Sequence, residues 1–193
     1  SSPMQLCLMT AQIANGGYKI KPRIILNDEE NKKFSDLNQF IEDRKLFADD
    51  VVSLYDFISK FRYKSLFRNP ENIKFVIDAL YGATNEPGGT SYGSRLTKKG
   101  FVFAGKTGTS QVKRFTARQR ELEIKNEDLP YEDRDHALFV AFAPYKDPRY
   151  AISVVIEHGG SGSKSAAPIA KKVIKKVLER HPLRESQANG EIV

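Results

Sequence analysis

Cysteine is nearly absent from this sequence, because Cys7 is the only one among 193 residues. A single thiol excludes an internal disulfide and a cysteine-rich metal site. We expect neither a metal ion nor a cofactor. Cys7 lies beside the apolar face of a predicted helix, so we expect a packed core thiol rather than a reactive one.

Long apolar runs are also missing. The longest one covers residues 137–143, far short of the ~20 residues that a helix needs to cross a lipid bilayer. No signal peptide is present, and the sequence begins with Ser1-Ser2-Pro3 rather than with methionine. We therefore expect a piece of a longer protein, whose absent segments say little about where the parent resides.

A block of one charge sign is the third absence. The net charge of +7 would suit an anionic partner such as nucleic acid, a membrane surface or a carboxylate-bearing substrate. The basic residues are spread along the chain, however, so we expect no specific nucleic-acid binding. The length suits one domain, and 40% hydrophobic and 28% charged residues are ordinary for a globular protein.

The hydrophobic pattern predicts a mixture of helices and strands. Capping residues and apolar repeats of three and four residues predict helices over residues 2–14, 35–46, 50–60, 70–83 and 166–180. Extended runs predict strands over residues 101–112, 136–143 and 150–157. The short connection between the last two strands predicts an antiparallel hairpin. The polar segment 113–135 is long for a loop in a compact domain, which indicates a functional or mobile loop.

Two of the predicted helices have clear apolar faces. We expect the buried residues of these faces to be Leu6, Met9 and Ile13 in the first helix and Ile169, Val173, Ile174, Val177 and Leu178 in the last. The opposite face of the last helix is basic. Such a face is usually solvated, and an anionic membrane surface is the alternative.

The run Lys106-Thr107-Gly108-Thr109 stands out inside the strand predicted over 101–112. Packing alone does not explain it, because a lysine must keep its charge solvated or paired and a glycine weakens a strand interior. Strand alternation sends Lys106 and Thr107 to opposite sides, so both reach one ligand only at a sheet edge. The alternative is a charged edge strand that prevents aggregation.

At such an edge the run would suit an acyl-transfer site. Gly108 would let a substrate backbone approach and pair in β fashion. Lys106 and the threonine hydroxyls would bind a carboxylate through charge-assisted hydrogen bonds. A strand N–H could also serve as an oxyanion donor.

A phosphate-binding loop is another interpretation, because residues 100–107 fit the pattern G-x-x-x-x-G-K-[ST]. Its four variable positions are Phe-Val-Phe-Ala, which is apolar rather than glycine-rich. The sequence after Lys106-Thr107 looks extended, whereas a phosphate loop needs a helix N-terminus there. A nucleotide hydrolase is therefore the weaker alternative.

Several stretches together resemble the class B penicillin-binding transpeptidases, and in particular the penicillin-binding protein 2 branch. They are residues 2–6, 13–17, 86–90, the K-T-G motif in 104–112, and 134–144, 157–160 and 166–170. The likeness is weakest over 27–69. It implies an α/β (α+β) fold of the β-lactamase and transpeptidase type, an antiparallel sheet flanked by helices. That fold would be incomplete here, with residues 1–182 as the C-terminal part of the domain and 183–193 as a disordered tail.

The resemblance also implies a function. The family forms peptidoglycan cross-links between stem peptides through an acyl-serine intermediate, and penicillin acylates the same serine. Lys106 would supply positive potential, Thr107 would bind the terminal carboxylate beside Gly108, and the Thr109 N–H would form half of the oxyanion hole. Implied partners are stem peptides, β-lactam antibiotics and the cell-elongation machinery. The implied location is the periplasmic face of the inner membrane of a Gram-negative bacterium, with the anchor outside this chain.

The chain departs from the family because it has no convincing nucleophile. Two accidental S-x-x-K strings, Ser110 to Lys113 and Ser161 to Lys164, fall at the end of a strand and in a glycine-rich turn. The segment Ser91-Tyr92-Gly93 lacks the asparagine of the family's S-x-N motif. We expect both serine motifs upstream of residue 1, so the isolated chain should not be acylated.

Three further expectations concern the two histidines, the edge of the sheet and a non-enzyme function. His136 and His158 suit core or turn positions better than a Ser-His pair, because this family uses lysine as the base. The strand over 150–157 should expose an unpaired edge, which favours dimerisation or domain swapping of the fragment. The non-enzyme alternative is a basic binding module for a membrane surface or nucleic acid, contacting its partner through the last helix and the 113–135 loop.

Overall fold

A computed structural model describes the chain over residues 2–20, 22, 66, 69–114, 121–122 and 124–180. Within these ranges the structure has three α-helices and one antiparallel sheet of three strands. The helices predicted over 35–46 and 50–60, and the tail at 183–193, lie outside the described residues. No helix in the described ranges is long and apolar enough to cross a bilayer.

The first helix, α1 (Pro3–Ala14), begins with the capping box that the sequence predicts. The Ser2 hydroxyl accepts a hydrogen bond from the Gln5 N–H at 3.2 Å, and the Gln5 side-chain oxygen accepts one from the Ser2 N–H at 2.8 Å. These two bonds satisfy donors that a helix N-terminus leaves free. Local sequence alone therefore places this helix start.

The second helix, α2 (Pro70–Asn85), begins at Asn69, whose side-chain oxygen accepts the Glu71 N–H at 2.9 Å. A tight turn follows it and returns the chain against the helix end. A Cβ on Gly89 would lie 2.5 Å from the Gly82 carbonyl oxygen, so this close approach requires glycine. After this turn and a short 3-10 helix, Tyr92–Ser94, the chain reaches the strand that carries Lys106.

The sheet consists of β1 (Ala104–Ser110), β2 (His136–Ala143) and β3 (Tyr150–Ile156), in the order β1-β2-β3. Both neighbouring pairs are antiparallel, with Lys106 opposite Val140 in the first pair. The predicted hairpin of β2 and β3 is confirmed. β1 is shorter than the predicted strand over 101–112 and lies at an edge of the described sheet.

The core lies between the sheet and the last helix, α3 (Ala167–Arg180). It combines aromatic rings with small residues: Phe103, Ala137, Phe139, Ala141, Ala143, Ala166, Ala167, Ala170, Ile174 and Leu178. The rings of Phe103 and Phe139 meet edge to face, with centroids 6.3 Å apart. Burying one Phe side chain contributes about 1.5–3 kcal/mol, so these rings anchor β1 and β2 to each other.

The predicted apolar faces of α1 and α3 are partly wrong. Met9, Ile169 and Val173, which were expected to be buried, are 44%, 42% and 43% exposed. Ala167 and Ala170 are buried instead. Ile174 and Leu178 are buried as predicted, so the contact face of α3 runs through these two residues and the alanines and leaves Ile169 and Val173 outside it.

Cys7 is the point where α1 meets the outer edge of β3. Its thiol lies 3.5 Å from the Ala151 carbonyl oxygen, and the residue is partly buried. Burial raises the pKa of the Cys7 thiol. These observations agree with the predicted packing role of this cysteine.

Candidate active site

One half of the β1 edge is closed by side chains from the end of α2. The Gly105 N–H donates to the Thr84 hydroxyl oxygen at 3.1 Å, and the Thr84 hydroxyl donates to the Gly105 carbonyl at 3.1 Å. The Asn85 side-chain amide donates to the Phe103 carbonyl at 2.9 Å. The outward N–H and C=O of Gly105 and the carbonyl of Phe103 are therefore occupied.

The other half of the edge is open. Backbone groups along a strand face the same side at every second residue. Because the N–H and C=O of Gly105 face away from β2, those of Thr107 and Thr109 do so as well. The Thr107 carbonyl accepts a hydrogen bond from the Lys106 ammonium at 2.9 Å. This stretch therefore offers backbone donors and acceptors beside a cation.

Three polar side chains meet at the open half. The Lys106 ammonium lies 3.3 Å from the Thr107 hydroxyl oxygen, and that hydroxyl donates to the Thr90 hydroxyl at 3.0 Å. The side chains of Lys106 and Thr107 start on opposite faces of β1 but meet around its edge, as predicted for a strand at the edge of a sheet. The result is one cation and two hydroxyls within reach of a single anion.

Thr90 is a site residue that sequence reasoning missed. It appeared only as the last residue of the stretch 86–90, which resembles the family, although its hydroxyl contacts that of Thr107 directly. The available signal was its place after the glycines that return the chain from α2 to the sheet. Its contact partner is 17 residues away in sequence, so no local pattern indicates the pairing.

Gly108 is loosely packed on one side and closely packed on the other. A Cβ on Gly108 would have one near neighbour, the Leu138 Cβ at 3.4 Å. Behind the strand, a Cβ on Gly162 would lie 2.5 Å from the Leu138 carbonyl oxygen and 2.6 Å from that of Gly108. Gly162 begins a π-helical segment, Gly162–Ala166, that packs its backbone against β1 and β2. At Gly108 the strand is therefore closely packed on the face toward Gly162 and loosely packed on the other face.

The two accidental S-x-x-K strings do not form serine–lysine pairs. The Lys113 ammonium binds the Asp133 carboxylate at 2.7 Å. The Lys164 ammonium lies 3.5 Å from the Glu127 carboxylate, and the Ser161 hydroxyl lies 3.0 Å from that of Ser163. In both strings a carboxylate takes the place next to lysine that a nucleophilic serine would need.

The two histidines hold a turn together. The His158 N–H donates to Nδ1 of His136 at 3.0 Å, and Nδ1 of His158 lies 3.0 Å from the Arg134 carbonyl oxygen. His158 has a φ of 54°, in the left-handed region. His136 begins β2 and His158 lies in the turn after β3, which agrees with the prediction of core or turn positions rather than a Ser-His pair.

The phosphate-loop interpretation does not fit the structure. After Lys106 and Thr107 the chain continues as strand to Ser110 and then bends. No helix N-terminus therefore follows the Lys-Thr pair to face a phosphate. Among the residues the structure describes, no group of three or more His, Cys, Asp or Glu side chains is placed to hold a metal ion.

The sequence matches the family model of the penicillin binding protein transpeptidase domain over residues 1–175. This chain belongs to that family. The α+β fold and the resemblance inferred from the K-T-G motif together with the other matching stretches are thereby confirmed. Membership of the transpeptidase family also favours the enzyme interpretation over a basic binding module and over a nucleotide hydrolase.

Relatives of this transpeptidase domain share its sequence at moderate identity. The peptidoglycan D,D-transpeptidase MrdA of Salmonella typhimurium strain SL1344 is 31% identical over 174 residues, covering 90% of this chain and 24% of the relative. The protein of the same name from Acinetobacter baumannii is 32% identical over 195 residues, covering 98% and 25%. The chain therefore spans about a quarter of the length of these curated relatives.

A solved structure supports the same transpeptidase fold. The crystal structure of Pseudomonas aeruginosa PBP2 in complex with WCK 5153 matches with a TM-score of 0.56 and 26% sequence identity. The match covers 92% of this chain and 30% of that structure's chain. The three-stranded sheet and its helices thus correspond to part of a larger transpeptidase architecture.

Proposed function

We propose that residues 1–182 form the C-terminal part of the transpeptidase domain of a peptidoglycan D,D-transpeptidase of the penicillin-binding protein 2 type. The parent enzyme cross-links stem peptides through an acyl-serine intermediate, serves cell elongation and shape, and binds penicillin covalently. The open half of the β1 edge carries this proposal, because it joins a cation, two hydroxyls and outward backbone groups. The names of the MrdA relatives supply the substrate class.

Lys106, Thr107 and Thr90 are proposed to bind the terminal carboxylate of the stem peptide. Their polar atoms are linked by contacts of 3.3 Å and 3.0 Å, so a carboxylate can accept from more than one of them. Hydrogen bonds from a cation to a carboxylate are about twice as strong as neutral ones. The same donors would bind the carboxylate of a β-lactam antibiotic.

Thr109 is proposed as the oxyanion donor of the site. Its N–H faces away from β2, two residues after the Thr107 N–H, and so lies on the side from which a substrate would approach. A preorganised backbone donor costs no reorganisation when charge develops on the carbonyl oxygen. Gly108 lies between the two threonines and lets the substrate backbone come close to the strand.

We also propose roles for groups outside the described site. The nucleophilic serine and its activating lysine are proposed to lie upstream of residue 1, since both lysines of the local S-x-x-K strings face carboxylates. The parent is proposed to act at the periplasmic face of the inner membrane with the elongation machinery. No cofactor, metal ion or nucleic acid takes part.

Labelling with a fluorescent penicillin tests this function. We expect one covalent adduct on the full-length protein that contains this sequence and none on the 193-residue chain. Intact mass measurement before and after incubation counts the adducts, and peptide mapping locates them. An unlabelled full-length protein, or an adduct on any serine of this chain, would contradict the proposal.

Self-association of the 193-residue chain is a separate expectation. The Ala151 carbonyl faces outward to Cys7, so the backbone groups of Ser153 and Val155 also face away from β2. In the described sheet β3 is an edge strand that α1 contacts at Ala151, and the edge beyond Ala151 is a template for pairing. Light scattering at high protein concentration should therefore detect dimers or larger species.

Val155→Pro should reduce this association. The Val155 N–H faces away from β2, so proline removes an edge donor without breaking the β2–β3 ladder. Val155→Thr is the matched control, because it keeps the backbone donor and a β-branched side chain. A monomeric wild-type chain, or equal association of Val155→Pro and wild type, would count against pairing through β3.

A further inference from the structure

Thr84 occupies the β1 edge in the way that a neighbouring strand would. It is fully buried at the end of α2, and its single hydroxyl bonds both the N–H and the C=O of Gly105. The Ser91 hydroxyl lies 3.2 Å away and donates to the Ala83 carbonyl, which anchors the arrangement to the helix end. The pairing edge of β1 therefore stops at Gly105.

A peptide that pairs with the open half of β1 could slip along the strand. A pairing slip of one residue would exchange the two faces of the peptide, but a slip of two residues keeps each side chain on its own face. Such a slip would move the scissile carbonyl by about 6.6 Å along the strand, from the Thr109 N–H to that of Thr107. The side-chain pattern of the substrate does not prevent it.

We propose that Thr84 is a positioning residue that fixes the register of the substrate on β1. A peptide shifted by two residues toward Gly105 would need the N–H and C=O that the Thr84 hydroxyl already holds. Pairing is thereby confined to Thr107, Thr109 and the residues beyond them. This inference rests on the proposed function, because it concerns the same substrate site.

The test compares acylation by benzylpenicillin in the full-length protein. Thr84→Val keeps the shape of the side chain and removes the hydroxyl, whereas Thr84→Ser keeps the hydroxyl. We expect the saturating acylation rate of Thr84→Val to fall by about tenfold to a hundredfold, because a ligand bound in the shifted register does not present its carbonyl to the Thr109 N–H. The apparent dissociation constant should fall by a similar factor, since binding in the shifted register is nonproductive, whereas Thr84→Ser should stay near the wild-type values.

Thr10→Val is the matched control for lost stability. Thr10 is also buried, but its hydroxyl donates to the Leu6 carbonyl within α1, away from the site. All rates are measured well below the melting temperature of each variant. A purely structural role of the Thr84 hydroxyl would then lower the melting temperature of both valine variants and leave both acylation rates unchanged. A folded Thr84→Val enzyme with the wild-type rate would overturn the inference.

Residue-resolved hydrogen exchange on the wild-type enzyme decides the case if Thr84→Val does not fold. On acylation by benzylpenicillin, protection of the Thr109 amide should rise while that of the Gly105 amide stays unchanged. An equal rise at Gly105 would show that the ligand displaces Thr84 and would overturn the inference. A wild-type enzyme that is not acylated at all would instead overturn the proposed function, and with it the proposed role of Thr84 in setting the substrate register.

Discussion

Replacing Lys106 with alanine in the full-length protein should lower the rate of penicillin acylation by about 10²- to 10³-fold, the scale for losing a preorganised electrostatic contact. The Lys106 ammonium is held at the open half of β1 by the Thr107 carbonyl and hydroxyl, at 2.9 Å and 3.3 Å. It is exposed, so its charge is available to an incoming carboxylate. Time-resolved labelling with fluorescent penicillin measures the rate.

Two comparison variants separate this effect from a general loss of positive charge. Lys113→Ala removes another exposed lysine, which is paired with Asp133 rather than with the site, and should leave the acylation rate unchanged. Lys106→Arg keeps the charge but presents a planar fork, so it should recover part of the rate. If Lys106→Ala is labelled as fast as wild type, Lys106 has no role in the mechanism.

Much of the fold could be predicted because its signals are local. Ser2 with Gln5 and Asn69 with Glu71 cap their helices through side chains that lie within three residues of each other. The β2–β3 hairpin follows from two extended runs with a short connection. The K-T-G run could be assigned to an edge strand because its lysine and glycine suit no other strand position.

The parts that the sequence did not predict depend on contacts between distant residues. Thr84 directly follows the helix predicted over 70–83, and nothing near it indicates that its hydroxyl bonds Gly105, 21 residues later. Thr90 reaches Thr107 in the same way. The apolar face of α3 was partly misjudged for a related reason, since Ala167 and Ala170 join the alanines of β2 in one core that only the tertiary fold assembles. Tertiary packing selects these residues, and a single sequence does not display it.

Gly162→Ala should damage both stability and acylation, because the new methyl group would press on the backbone of β1 and β2 at Gly108. The new Cβ would lie 2.5 Å from the Leu138 carbonyl oxygen and 2.6 Å from the Gly108 carbonyl oxygen. Both are backbone atoms of residues paired across β1 and β2, so no flexible side chain can move aside. Overpacking of this kind costs about 1–3 kcal/mol.

The acylation rate of Gly162→Ala should fall by up to about 10²-fold, since a displacement near 1 Å is enough for such a loss. Gly108 lies between Thr107 and Thr109, so a shift of the strand moves the proposed carboxylate-binding groups and the proposed oxyanion donor together. Thermal unfolding and penicillin labelling of the full-length protein measure the two effects.

Gly93→Ala is the matched control for Gly162→Ala. Nothing lies within 4 Å of a Cβ built on Gly93, and its φ is not in the left-handed region. We expect its melting temperature and acylation rate to equal those of wild type. If Gly162→Ala melts earlier but is acylated normally, the π-helical segment retreats without moving β1. In that case the packing behind Gly108 supports the fold and does not position the active site.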